Sequence, residues 1–249
     1  MWGMKIFSLF AAAVAVMSVC QAASEAATSA REAAQQYGAA VRNCDMSWAV
    51  DSMYPPLRRT YADQLTSRTR EAEIARARRV QGLERETVVQ AKARMAANDK
   101  ALRAKYARMG EEMKKSGLMV ESYSVGEATA EYVVTPPMAT VAQVRKDTAG
   151  RVRAEQIGQT TERSRVVILP TTLVISAPAA NGKRTRMERR SYIYAVRDEV
   201  ITDKSQPRGT ELNKWYFIDG NTDVNTLRTF FPNLPLYLKR PGTGDRILP

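Results

Sequence analysis

Histidine is absent from the 249-residue chain, and cysteine occurs only at Cys20 and Cys44. The chain therefore lacks the commonest general base near neutral pH and the commonest metal ligand. A Ser-His-Asp or Cys-His arrangement is excluded. So are the usual zinc sites, which need more nitrogen and sulfur ligands than these cysteines supply. No phosphate-cradling loop is present either: PGTGD, residues 241–245, belongs to a terminal tail rather than to a strand-to-helix turn.

Long apolar runs are also scarce. The N-terminal run Ile6–Val19 is short for a bilayer span. With Lys5 before it and the small-x-small triplet Cys20-Gln21-Ala22 after it, residues 1–22 read as a signal peptide cleaved after Ala22. The expected product is exported, periplasmic or secreted. Cleavage removes Cys20 and leaves Cys44 alone, so no internal disulfide forms and Cys44 reads as a small buried residue. The remainder is long enough for one domain with elaborations and a core that needs no staples.

Acidic residues are the minority: Lys+Arg number 38 against 26 Asp+Glu, a formal charge of +12. Much of the excess lies between Leu57 and Lys115, with 16 basic and 8 acidic residues. The reading of this block is a solvated mixed-charge helix face, with an anionic envelope surface as the partner that residues 57–117 would meet. Nucleic acid is not expected, because sequence-tolerant binders add aromatic stacking platforms and this block holds only Tyr61 and Tyr106.

Residues 23–36 are alanine-rich and polar, either a frayed helix or a short linker. From Tyr37 the pattern sharpens. Ala33, Tyr37, Ala40 and Val41 share a helical face, Asn43-Cys44-Asp45 interrupts it, and Asp45 can cap a short helix carrying Trp48, Val50 and Met53. Pro55 and Pro56 end that helix. Met95, Leu102, Tyr106, Met109 and Met113 form an amphipathic stripe, Gly82 divides the charged block and Gly117 stops it. Strands are predicted at 118–125, 130–134, 165–176, 190–196 and through KWYFID. Pro170 implies a bulge or an edge, and Asn181-Gly182 a hairpin turn. Residues 138–164 read as a hairpin arm or insertion, a final helix starts at Thr222 or Asp223, and residues 236–249 form a loose tail. The fold class is α+β: helices on one face of a sheet of five or six antiparallel strands, with a short C-terminal helix.

The helix bearing Tyr37, the break at Asn43-Cys44-Asp45, the segment MYPPL and the strands LPTTLVISAP, ERRSYIYAV and NKWYFIDG resemble the NTF2-like superfamily, in particular exported bacterial members. The resemblance implies a single cone-shaped domain over residues 37–235, with insertions near 58–95 and 138–164. It implies a pocket between a curved sheet and the helices, and a homodimer through the sheet face as a further expectation. It does not choose a function, since this fold carries isomerases, dehydratases and plain binding modules.

Two chemistries fit these residues. A binding pocket would be walled by Trp48, Tyr54, Tyr192, Tyr194 and Trp215, with Phe217 beside them, although the same aromatics can equally form the core. A carboxylate-based isomerase or hydrolase would use Asp45 or Asp51 with Tyr37, Tyr54 or Tyr194 as donor. Asp45 also has a plain role as a helix cap, and Asp51 as a solvated helix residue. With no cofactor or metal motif, the expectation is a non-enzymatic domain that binds a small apolar ligand or an envelope partner protein. A structural protein attached by its basic helix is the third alternative.

Overall fold

The computed structural model describes residues 24–82, 87–134, 142–146, 152–156, 163–179, 182–200 and 209–249. The signal-peptide reading and residue Asn181 lie outside them. Five helices come first: α1 (Glu25–Arg42), α2 (Met46–Asp51), α3 (Pro55–Thr66), α4 (Arg70–Val80) and α5 (Val88–Lys115). Strands β1 (Met119–Val125), β2 (Ala130–Val134), β3 (Ala142–Lys146), β4 (Val152–Gln156), β5 (Arg163–Pro178), β6 (Arg184–Val200) and β7 (Trp215–Asp219) follow, then α6 (Val224–Phe230) and β8 (Gly244–Leu248).

β5 and β6 pair along their whole length and form the spine of a six-stranded antiparallel sheet. Each outer flank is split between two short strands. β1 and β2 share the free side of β5, while β7 and β8 share the free side of β6. Pro170 falls where β1 has ended and β2 has not begun. Its missing N–H costs no ladder bond there, and its carbonyl accepts from Gly126 N at 2.9 Å. β3 and β4 pair as a separate two-stranded hairpin inside the segment read as an arm.

Alternation along β6 sorts the core into two layers. Tyr192, Tyr194 and Val196 point to one face and pack with Val166, Ile168, Leu227 and Phe231. Ile193 and Ala195 point to the other and pack with Val167, Leu169 and the alanines of α1. Both faces of this half of the sheet are therefore covered, where the sequence suggested helices on one face only. The other half, around residues 184–190 of β6, is the more exposed.

Residues 25–36, read as a linker or a frayed helix, belong to the capped helix α1. Ser24 caps α1 by accepting from Ala27 N at 3.0 Å, and Ala26, Ala27, Ala30 and Ala34 are buried. Alanine has low hydropathy but lets a helix lie close to a sheet, so its burial leaves little pattern in the sequence. Gly38 carries this furthest, with the Tyr123 ring lying where a Cβ would stand. Pro55 and Pro56 open α3 rather than merely ending α2, because a proline in the first turn needs no N–H. The loose tail is a strand: β8 pairs with Arg186–Arg190, and Arg189 holds Asp245 through two 2.8 Å bonds. Within the basic block, no described side chain of α4 is buried, in keeping with a solvated charged helix.

The start of α1 is tied to the sheet by charge. Glu199, with 8% of its side chain exposed, accepts from Arg165 at 3.1 Å and Arg197 at 2.8 Å and pairs with Arg163 at 3.0 Å. Arg165 also binds Glu131, which accepts from Ser24. The hydrogen bond from Arg165 holds the Glu199 carboxyl down to about 2, with Arg197 adding to the effect. A depressed folded-state value stabilises above the ordinary glutamate range and is lost as pH falls towards 2. The urea midpoint is expected to drop between pH 6 and pH 3, and less steeply in Glu199→Gln. An equal drop in both proteins would contradict this role.

Candidate functional site

The turn between α1 and α2 places the first wall of a cavity. Cys44 is buried and takes a left-handed backbone, φ 53°. Asp45 then caps α2 by accepting from Trp48 N at 3.2 Å. This turn aims Met46, Ala49 and Met53 towards the sheet edge. The α2–α3 connection also closes the outer edge of β7: Phe217 N donates to Ser52 O at 2.8 Å, and Tyr54 N donates to Phe217 O at 3.1 Å. α5 is held against α2 and α3 by ion pairs. Asp99 takes Arg58 at 3.1 Å, Asp63 takes Arg94 at 3.0 Å, and Asp51 takes Arg103, which Asp99 also holds within α5 at 2.9 Å.

Between these elements lies a cavity of about 250 Å³. Its apolar wall is Met46, Ala49 and Met53, then Leu57 of α3 and Met109 of α5. Ile193, Phe217 and Ile218 close it from the sheet. Its polar groups are the phenols of Tyr37, Tyr61 and Tyr106 and the carboxylate of Asp219. Burial, reinforced by the Asp219 charge, pushes the Tyr37 phenol up to about 12, and burial also raises Tyr106. Both phenols therefore stay protonated and serve as neutral hydrogen-bond donors rather than bases. Asp219 itself accepts from Asn221 N at 2.7 Å in the turn after β7.

Two hollows adjoin the cavity through shared walls. One, of about 290 Å³, lies between α3 and α5 over Leu65 and Leu102 and shares Tyr61 and Tyr106 with the cavity. The other, of about 420 Å³, lies between α3 and α6 and shares Tyr61. It is rich in threonine hydroxyls, and Thr222 Oγ1 is buried there without a hydrogen-bond partner among the described residues. Tyr61 therefore stands at the junction of all three.

None of the five aromatics read as pocket residues lines the cavity. Tyr54 is 1% exposed and packs against Phe231 and Phe230, with ring centroids 5.4 and 5.9 Å away. Tyr192 and Tyr194 meet edge to face at 5.5 Å inside the same layer. Trp215 lies on the opposite face under Arg197, at 4.6 Å, and donates to Ser29 Oγ at 3.1 Å. Trp48 lies beside the cavity-lining Tyr37, with ring centroids 5.8 Å apart. The carboxylate constellation is not assembled either. Asp45 caps α2, Asp51 is engaged by Arg58 and Arg103, and Tyr54 and Tyr194 are buried in the core with Phe231. Tyr37 and Phe217 are the residues singled out from sequence that do reach the cavity.

The methionines and Asp219 were missed. A methionine wall is a usable signal, since flexible thioethers adapt to varied apolar guests. Met109 with Tyr106 was visible within the α5 stripe. Among the described residues no group of three or more potential metal ligands occurs, and no helix is long and apolar enough to cross a membrane. No protein-family model, curated protein sequence or solved structure matches this chain.

Proposed function

We propose that this chain is an exported, non-enzymatic domain of the NTF2-like kind that binds a small apolar or amphiphilic molecule between its helices and its sheet. The observation that carries the reading is the 250 Å³ cavity walled by Met46, Ala49, Met53, Leu57, Met109 and Phe217. Alone it lies just below the usual range for small-molecule sites, roughly 300–1,000 Å³, and the adjoining hollow between α3 and α5 brings it within that range. An apolar wall with a few phenol donors is the lining such sites use. Burial holds the Tyr37 and Tyr106 phenols protonated, and Asp219 accepts from the turn at Asn221, which favours holding a ligand over transforming it. A solvatochromic apolar dye should bind saturably at one site per chain and be displaced by medium-chain aliphatic compounds. A dye that binds only non-saturably would count against the proposal.

A further inference from the structure

The geometry points to a single-chain anionic amphiphile as the ligand, with its carboxylate or phosphate head held by Arg68 and Lys105 and its aliphatic chain running past Tyr61 and Tyr106 into the methionine-walled cavity. The inference rests on the cavity being a ligand site and adds the chemistry of the ligand. Its first support is an imbalance in the pairing of charges. Around α3 and α5, Arg58, Arg94 and Arg103 are each matched to Asp99, Asp63 or Asp51. Arg68 and Lys105 line the hollow between the same two helices and have no ion-pair partner among the described residues.

Continuity is the second support. Tyr61 and Tyr106 wall both the cationic hollow and the apolar cavity, and Leu65 and Leu102 give the hollow an apolar floor. A chain leaving the cationic mouth would lie over Leu65 and Leu102 and pass the rings of Tyr61 and Tyr106 before reaching the methionine wall. Polarity is the third. Asp219, an exposed residue, lines the cavity but not the hollow, so an anionic head is repelled on the Asp219 side and attracted on the side of Arg68 and Lys105. A cationic or neutral head would gain nothing from Arg68 and Lys105. The two cations are solvent-exposed, so their contribution is modest and weakens with salt.

The test uses decanoate, decanol and decylamine as probes, with binding read from tryptophan fluorescence, to which Trp48, packed against the cavity-lining Tyr37, contributes beside Trp215. Decanoate is expected to bind tightest at low salt. The double variant Arg68→Gln/Lys105→Gln, at exposed positions that leave the fold intact, should weaken decanoate about tenfold and leave decanol within about twofold. A phosphate-headed decyl chain losing more than decanoate would assign the head as phosphate. If decanol matches decanoate in both proteins, the cavity reading stands and the head-group inference falls. A decanoate preference that survives in the double variant also overturns it. If no probe binds the unaltered protein, both readings fall together.

Discussion

Gly110→Ala is expected to lower the melting temperature by about 4–8 °C, against the usual sign for such a change. Glycine to alanine inside a helix normally stabilises by about 1 kcal/mol. Here a Cβ on Gly110 would lie 2.4 Å from the Cys44 carbonyl oxygen and 3.3 Å from Met46 Cγ. The carbonyl cannot retreat cheaply. Cys44 already holds a left-handed backbone, and its turn is fixed by Cys44 N to Val41 O at 3.0 Å and Asp45 N to Ala40 O at 2.9 Å. α5 must move outwards instead, carrying Met109 away from the cavity. Overpacking of this kind costs about 1–3 kcal/mol and, against backbone, falls at the upper end. The net is about 2 kcal/mol, which for a domain of this size corresponds to the stated shift. Gly242→Ala, with nothing within 4 Å of its Cβ, is the control and should melt unchanged. A Gly110→Ala protein as stable as the parent would show that α5 does not approach Cys44 this closely.

Filling the cavity should have the opposite character, abolishing binding while sparing the fold. Ala49 is 5% exposed and sits in the cavity wall between Met46 and Met53. Leucine there adds three carbons to a space of about 250 Å³, so the added atoms occupy void rather than displace neighbours. Each buried methylene contributes about 0.8 kcal/mol, offset by lost rotamer freedom of about 0.5–1 kcal/mol for the whole side chain. Stability is therefore expected to hold or rise by about 1 kcal/mol. Affinity for decanoate or the dye should fall at least tenfold, because the chain and the new side chain compete for one volume. Thermal melts and a titration on the same sample check both halves. Unchanged affinity would place the bound chain elsewhere, and a collapsed fold would mean that Ala49 has no free volume before it.

These two changes also mark what could and could not be read from the chain. The β6 alternation was legible because each parity of Tyr192–Val196 feeds a different packed layer. Asp45, Gly117 and Asp223 were legible because helix ends need those residue types locally. The cavity was not, since its walls come from α1, α2, α3, α5, β6 and β7, and nothing local marks their meeting. Aromaticity alone did not decide between pocket and core: Tyr54, Tyr192, Tyr194 and Trp215 suit either, and their rings are taken up by packing. α1 was underestimated because alanines bury without looking hydrophobic. β8 escaped because five residues with glycine and two charges become a strand only when β6 offers an open edge.

The most direct test of a ligand between helices and sheet is native mass spectrometry of the full chain purified from its own source, set beside the same sample denatured. The account predicts an added mass in the native state, that of one single-chain amphiphile per polypeptide, which disappears on denaturation. The bare polypeptide mass in both states would contradict it.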